Sequence, residues 1–159
     1  GSTPRASPPP TEPVFVRIVA VGKIKERGIR EALEDYYGRI GHYARFEEIE
    51  LKDGDPSEVE RRFEKAIPEG ARVIALEVEG KALDSHGFAK LVGSAEDTAV
   101  RHLVFLIGGS YGLPKAVRAR AEQELSLSRM TLPHRLARLF LAEQIYRAFT
   151  ILRGEPYSH

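Results

Sequence analysis

Short, almost continuous apolar runs along this chain predict buried strands. Three of them are rich in β-branched residues: VFVRIVAVG (Val14–Gly22), RVIALEV (Arg72–Val78) and LVFLIG (Leu103–Gly108). Two shorter strand candidates are Phe46–Leu51 and Leu125–Ser128. Strands with apolar side chains on both faces are typical of sheets that are covered on both sides.

Between these runs, apolar residues recur with the spacing of a helix. The predicted helices are Ile29–Tyr43, Pro56–Ile67, Ser85–Leu91, Leu113–Glu122 and His134–Arg153, with Asp55 and Ser85 as capping candidates. The alternation of strands and helices predicts an α/β fold with a largely parallel sheet and helices on both faces. Ligands bind such sheets beyond the carboxyl ends of the strands, which here are the loops after Glu77, Ile107 and Leu127.

The last predicted helix carries two apolar stripes on nearly opposite sides. One holds Leu136, Leu139, Phe140, Tyr146 and Ile151, and the other holds Leu141, Ile145, Phe149 and Leu152. A helix that only covers a sheet needs one stripe. We therefore expect a further partner and favour a second copy of the chain over an internal element. Glu143 and Arg147, spaced i, i+4 in the first stripe, are expected to pair.

Charge is distributed unevenly in a chain of 159 residues whose net charge is only +1. Residues 1–30 hold six basic against two acidic residues, residues 31–100 hold nine against 17, and residues 115–159 hold eight against four. If the two basic ends meet in the fold, they form a positive face for an anionic partner. An ordinary solvated surface is the alternative.

The first 13 residues, GSTPRASPPPTEP, differ in composition from the rest of the chain. They are predicted to be disordered, with the leading Gly-Ser a cloning scar, so that residues 14–159 form one domain. The absence of cysteine excludes a disulfide scaffold and a cysteine nucleophile. No apolar run approaches the length of a membrane span and no signal-peptide pattern is present, so we expect a cytoplasmic protein without a membrane partner.

Three strand-end segments are candidates for chemistry. IGGSYGLP (Ile107–Pro114) joins a strand to a helix through glycines, which allow a ligand to approach the backbone, although its spacing matches neither GxGxxG nor a P-loop. EVEGKALD (Glu77–Asp84) is better explained by a plain turn. LSLSRMTLPH (Leu125–His134) could hold a polar ligand through its backbone N–H groups, or it is an ordinary connection to the last helix. The histidines lack the spacing of metal ligands, and we expect no metal site. The acidic pairs Glu47/Glu48 and Asp53/Asp55 look like solvated surface.

These segments together resemble a known family. FLIGGSYGL followed by LSLSRMTLPHRLARLFLAEQIYRAFTILRGEPY, with AVGKIKE and ALEVEGKALDS upstream, is similar to the bacterial 23S rRNA pseudouridine N3-methyltransferase H family, which belongs to the SPOUT class. The resemblance runs from about Val14 to Tyr157. It implies a homodimer and an α/β domain whose C-terminal part forms a trefoil knot, a feature that periodicity could not predict.

The resemblance also implies S-adenosylmethionine as the cofactor, held by three loops. By position, the cofactor-binding residues are Leu76, Gly108, Leu127, Ser128, Arg129, Met130, Thr131 and Leu132. The implied substrate is a pseudouridine in a 23S rRNA stem-loop of the assembled ribosome. Basic residues expected to hold this RNA are Lys23, Lys25, Arg27, Arg129 and Arg135. The tail is expected near the transferred methyl group, supplied by the other subunit, with Tyr157 and His159 as catalytic candidates.

The chain departs from the family pattern at two places. Its glycine loop reads GGSYG where many relatives have Pro and Glu between the glycines, and its tail has Ser158 where a histidine usually follows Tyr157. Either His159 replaces that histidine or Tyr157 carries the role alone. Two other functions stay open: a related enzyme that modifies another RNA such as tRNA, and a ribosome-binding factor that has lost catalysis.

Overall fold

Five parallel strands form the sheet of the computed structural model, which describes residues 14–98 and 100–157. The strands are β1 (Phe15–Val21), β2 (Arg45–Leu51), β3 (Arg72–Ala82), β4 (His102–Ile107) and β5 (Gln123–Ser126). Their order across the sheet is β2-β1-β4-β3-β5, and each neighbouring pair is parallel. The predicted α/β class is confirmed, whereas the segment 1–13 lies outside the described residues.

Helices cover both faces of this sheet. They are α1 (Arg27–Ile40), α2 (Pro56–Ala66), α3 (Ser85–Asp97), α4 (Lys115–Ala119) and α5 (His134–Arg153). Helices α1, α3 and α5 pack on one face, which receives Val16 and Ile18 of β1, while α2 and α4 pack on the other, which receives Val19. The strands are therefore apolar on both sides, as their nearly continuous apolar sequences predicted.

Several predicted boundaries were wrong: α3 continues beyond Leu91 to Asp97, and β5 spans Gln123–Ser126 instead of Leu125–Ser128. Three further differences have a visible cause. Strand β3 continues beyond Val78 to Ala82, because a register shift allows Lys81 and Ala82 to pair with β5 again. Helix α3 is capped by Asp84, whose carboxylate accepts from the N–H of Gly87 at 2.7 Å, and not by Ser85. Helix α4 ends early because the N–H of Glu122 donates to the carbonyl of Val73 at 2.9 Å, which draws the chain into the sheet.

The two stripes of α5 have different surroundings. Leu141, Ile145 and Phe149 are fully buried against the sheet. Leu136 and Phe140, from the other stripe, are 41% and 40% exposed, so this stripe is only partly covered within one chain. The expected pair forms there, with Arg147 and Glu143 2.9 Å apart.

A buried arginine lies on the inner side of α5. Arg138 shares the face of Leu141 and Ile145, and its side chain is fully buried. Its guanidinium pairs with Glu50 and, at 3.2 Å, with Glu48. It also donates to the carbonyl of Gly22 at 3.0 Å. One side chain of α5 therefore holds both β2 and the loop that follows β1.

Arg30 of α1 completes this charge cluster. Its guanidinium lies 2.7 Å from a carboxylate oxygen of Glu48 and 2.7 Å from one of Glu50. Burial alone would raise the pKa of Glu50, but the N–H of Ile24 and the guanidinium groups outweigh burial and lower it. The expectation that Glu48 is solvated was wrong, because its side chain is 11% exposed and neutralises two arginines.

Replacing Arg138 by methionine is expected to lower the free energy of unfolding by about 3–5 kcal/mol, since two partly buried carboxylates lose a partner. The matched control is Arg153→Met, which removes the more exposed pair with Glu96 and is expected to cost about 0–1 kcal/mol. Urea denaturation of both variants measures the difference. Equal losses in the two variants would contradict the importance assigned to the buried cluster.

Candidate functional site

A cavity of about 480 Å³ opens at the carboxyl edge of the sheet, beyond β4 and β5 and beside β3. Seven of the eight residues predicted to bind the cofactor line it: Leu76, Gly108, Leu127, Ser128, Met130, Thr131 and Leu132. The eighth, Arg129, has an exposed side chain and is not part of the lining. The fold thus brings together segments more than 50 positions apart in the chain. Their role as ligand contacts stays a prediction.

The glycine loop 108–114 forms one wall of this cavity and is a tight turn. The N–H of Gly112 donates to the carbonyl of Gly109 at 2.9 Å, and Gly112 has a φ of +77°. A Cβ on Gly108 would lie 2.4 Å from the carbonyl carbon of Gly112. Glycine at position 108 is therefore required first by the chain's own backbone, and not only by the approach of a ligand as the sequence suggested.

The loop between β5 and α5 forms the opposite wall, and two serines shape it. The hydroxyl of Ser126 donates to the carbonyl of Ser128 at 2.9 Å. The hydroxyl of Ser128 accepts from the N–H of Met130 at 3.0 Å. These bonds fix the loop where Leu127 and Leu132 supply apolar surface to the cavity, while the side chain of Met130 is 77% exposed at its edge.

Glu77 places a carboxylate in the wall at the side of β3. Its Oε1 is buried and lies 3.2 Å from Nε of Arg118, but within the described part of the chain no donor meets it with hydrogen-bond geometry. Burial raises the pKa of Glu77, and the nearby Arg118 only partly offsets this. The ion pair with Arg118 therefore holds Oε1 of Glu77 at the side of the cavity.

His134, the first residue of α5, lines the cavity with a neutral imidazole. Its Nε2 lies 3.0 Å from a guanidinium nitrogen of Arg138, which can only donate. The histidine must therefore accept at Nε2 and carry its hydrogen on Nδ1. Burial and the charge of Arg138 lower the pKa of His134, so the neutral form prevails at neutral pH. Sequence reasoning assigned no site role to Glu77 or His134, although both flank the predicted loops.

Tyr157 does not line the cavity of its own chain. Its hydroxyl donates to Glu143, its ring lies 5.6 Å from that of Tyr146, and Arg147 lies 4.0 Å above the ring centre. Burial raises the pKa of the Tyr157 hydroxyl, and its hydrogen bond to Glu143 raises this pKa further. Glu143 is nine residues beyond His134, which corresponds to roughly 14 Å along the helix axis. The other tail candidate, His159, lies outside the described residues.

Four of the five predicted RNA-binding residues come from two adjacent segments. Lys23, Lys25 and Arg27 are exposed after β1 and at the start of α1. Arg135 at the start of α5 reaches Glu26 at 3.3 Å and joins these segments. These basic residues from the two ends of the chain thus lie close together near the carboxyl edge of the sheet, which is the condition that a positive face requires. Their contact with RNA stays a prediction.

The described residues carry neither a metal centre nor a membrane-spanning helix. They contain no group of three or more side chains that could hold a metal ion. No helix within them has the length and apolar character needed to cross a membrane.

The sequence is similar to a family of methyltransferases over almost its whole length. The family model described as "Predicted SPOUT methyltransferase" matches residues 14–159. A protein of Sorangium cellulosum (strain So ce56) is 49% identical over 142 residues, which cover 89% of this chain and 97% of that protein. A protein of Carboxydothermus hydrogenoformans is 44% identical, with 89% and 98% covered. Both relatives are named "Ribosomal RNA large subunit methyltransferase H".

Solved structures share the fold at much lower identity. A probable methyltransferase from Bordetella pertussis Tohama I aligns with a TM-score of 0.57 at 13% identity, over 85% of this chain and 94% of that one. A probable methylase family protein from Haemophilus influenzae Rd KW20 aligns with a TM-score of 0.55 at 11% identity, over 91% and 70%. At these identities the likeness concerns the fold alone.

Replacing Gly108 by alanine is expected to destabilise the protein, because the new methyl group would collide with the backbone of Gly112 and Leu113. Gly38→Ala is the matched control: this exposed position within α1 has open space, and alanine there should stabilise the helix by about 0.5–1 kcal/mol. Thermal unfolding compares the two variants. A Gly108→Ala variant as stable as the parent would show that the loop is not tightly closed.

Proposed function

This chain belongs to the SPOUT methyltransferase family, among the methyltransferases of large-subunit ribosomal RNA, and we propose that it methylates N3 of a pseudouridine in 23S rRNA on the assembled ribosome. One observation carries this proposal. Seven of the eight residues that the family pattern marks for cofactor binding converge on one cavity at the carboxyl edge of the sheet. A cytoplasmic location accords with a ribosomal substrate.

The cavity suits S-adenosylmethionine, which would supply an electrophilic methyl group on a sulfonium. Its volume of about 480 Å³ lies within the usual range of ligand sites, roughly 300–1,000 Å³. Leu76, Leu127 and Leu132 offer apolar surface for a flat heteroaromatic ring. Glu77 adds a carboxylate to the lining, which suits a ribose hydroxyl or an ammonium group. The residues present therefore fit this cofactor.

A homodimer would explain the partly covered face of α5. Leu136 and Phe140 leave apolar surface exposed on the side that also carries Glu143 and Arg147. Burying such a stripe against a second copy is the simplest way to remove it from water. The tail lies beside this face, away from the cavity of its own chain. We therefore assign Tyr157 to the active site of the other subunit. The knot expected of the family stays a prediction.

In methyl transfer, the main role of the protein is to align N3 of the base with the methyl carbon of S-adenosylmethionine. Tyr157 is suited to this task as a neutral phenol. Because its hydrogen goes to Glu143, its oxygen can accept a hydrogen bond from the N3–H of the base. As the methyl group passes from the sulfonium to N3, the N3 proton can move to the oxygen of Tyr157 while the phenol hydrogen moves to Glu143. Arg147, close to the same ring, can balance the negative charge that develops during this transfer. The basic residues between β1 and α1 would hold RNA phosphates.

Methyl transfer to intact ribosomes tests the proposal. With labelled S-adenosylmethionine, we expect label in 23S rRNA, recovered after nuclease digestion as N3-methylpseudouridine by mass spectrometry, and none in free tRNA. Label in tRNA alone would favour the related enzyme on another substrate. Cofactor binding without label in any RNA would favour a binding factor that has lost catalysis.

Tyr157→Phe tests whether the hydroxyl of Tyr157 takes part in methyl transfer. We expect kcat to fall by at least about 5- to 13-fold, which corresponds to losing one hydrogen bond of roughly 1–1.5 kcal/mol, while cofactor affinity stays unchanged. Tyr43→Phe is the matched control, because Tyr43 makes a similar bond to Glu155 at 3.0 Å. Full activity of Tyr157→Phe, or an equal loss of cofactor affinity, would contradict the catalytic assignment.

A further inference from the structure

A second cavity, of about 420 Å³, lies on the other side of the glycine loop from the first. The loop follows β4, which is the middle strand of the sheet. The first cavity extends towards β3 and β5, whereas the second extends towards the ends of β1 and β2 and the start of α2. Both cavities share Gly109, Ser110, Gly112 and Leu113, so only the width of one loop separates them.

Tyr111 lines only the second cavity and is 98% exposed, the most exposed of the large apolar side chains in the described residues. It stands on a turn that the Gly109–Gly112 hydrogen bond holds closed. A rigidly based, solvent-facing aromatic ring next to a site for RNA chemistry is suited to stack on an unpaired base. The cavity floor, with Val21, Val59 and Leu113, is apolar and suits the other face of such a ring.

Asp53 places a carboxylate at the edge of this cavity. Arg62 donates to the carbonyls of Lys52 and Asp53 at 3.0 and 3.2 Å, which fixes the loop between β2 and α2. Oδ1 of Asp53 accepts from the N–H of Gly54 at 2.8 Å. Its carboxylate retains acceptor capacity on both oxygens. Two adjacent acceptors match the N1–H and the amino group on the Watson–Crick edge of guanine. Adenine and uracil lack this pair of donors.

Three lysines that are near the lining residues in sequence supply positive charge against the carboxylates of Asp53 and Asp55, which both line this cavity. Lys52 adjoins Asp53 in the chain, Lys115 adjoins Pro114, and Lys23 follows Val21 by two residues. All three lysines are exposed. The base of a nucleotide bound here would stack on an aromatic ring and donate hydrogen bonds to a carboxylate, and its phosphates would lie near cations. The phosphate contacts would position the RNA, and the base-edge contacts would determine which base is bound.

From these features we infer that the second cavity binds an unpaired guanine of the substrate RNA, stacked on Tyr111 and recognised by Asp53. This inference rests on the proposed RNA methyltransferase function. The guanine would lie close to the target base, because the two cavities share one loop. Its binding would help to select the RNA without taking part in methyl transfer.

Fluorescence anisotropy with short labelled oligouridylates tests the inference, using the full chain saturated with S-adenosylmethionine. The probes carry one guanosine, one inosine, which lacks the amino group, or uridine only. We expect the parent to bind the guanosine probe about tenfold more tightly than the inosine probe. Tyr111→Ala should weaken binding of the guanosine probe roughly 5- to 150-fold, whereas Tyr111→Phe should retain it.

Asp53→Asn should remove the preference for guanosine over inosine, while the control Asp97→Asn, at the end of α3, should retain it. The affinity for S-adenosylmethionine, measured by calorimetry, should be unchanged in the Tyr111 and Asp53 variants, since neither residue lines the first cavity. A guanosine preference that survives Asp53→Asn, or unchanged binding by Tyr111→Ala, would overturn the inference.

Failure of the proposed function has a different signature. If the parent binds guanosine through Tyr111 and Asp53 but methylates no ribosomal RNA, the guanine site stands and the catalytic assignment fails. If the parent methylates ribosomes and Tyr111→Ala does so with the same KM, the guanine site fails and the catalytic assignment stands.

Discussion

The charge balance around Arg138 is the constraint on which the rest of this structure depends. Two carboxylates from β2, Glu48 and Glu50, face two guanidinium groups, Arg30 from α1 and Arg138 from α5. Arg138 is fully buried, and an unpaired charge there would be very unfavourable. The cluster is therefore stable only when the sheet and both helices are in place at once. It ties the second strand to the last helix, elements whose paired residues are about 90 positions apart.

Arg138 also fixes two segments of the proposed active site. Arg138 holds the carbonyl of Gly22 and the imidazole of His134, so the loop after β1 and the start of α5 are fixed to one another. The first of these carries the basic residues proposed to hold RNA, and the second closes the cavity proposed for the cofactor. The buried contacts of Arg138 thus fix the distance between the proposed RNA-binding loop and the proposed cofactor cavity. It also determines which nitrogen of His134 carries the hydrogen.

Much of this could be predicted from the sequence, and the failures have physical reasons. Continuous apolar runs predicted the strands because parallel sheets bury both faces. The loops at strand ends predicted the cavity because the carboxyl ends of parallel strands meet at one edge. Glu48 was misread as solvated, since its partners Arg30 and Arg138 are distant in the chain and pairing depends on the fold. The position of Arg138 within the inner stripe of α5 was the available signal. The end of β3 was missed because the register shift near Gly80 depends on close contact with the backbone of β5.

The central claim is that the cavity between the glycine loop and the loop before α5 holds S-adenosylmethionine. Calorimetric titration of the full chain tests it most directly, with Leu127→Arg as the variant that fills the cavity with a charged side chain. We predict one cofactor bound per chain in the parent and none in a folded Leu127→Arg protein. A parent that binds no cofactor, or a variant that binds it with unchanged affinity, would contradict the account.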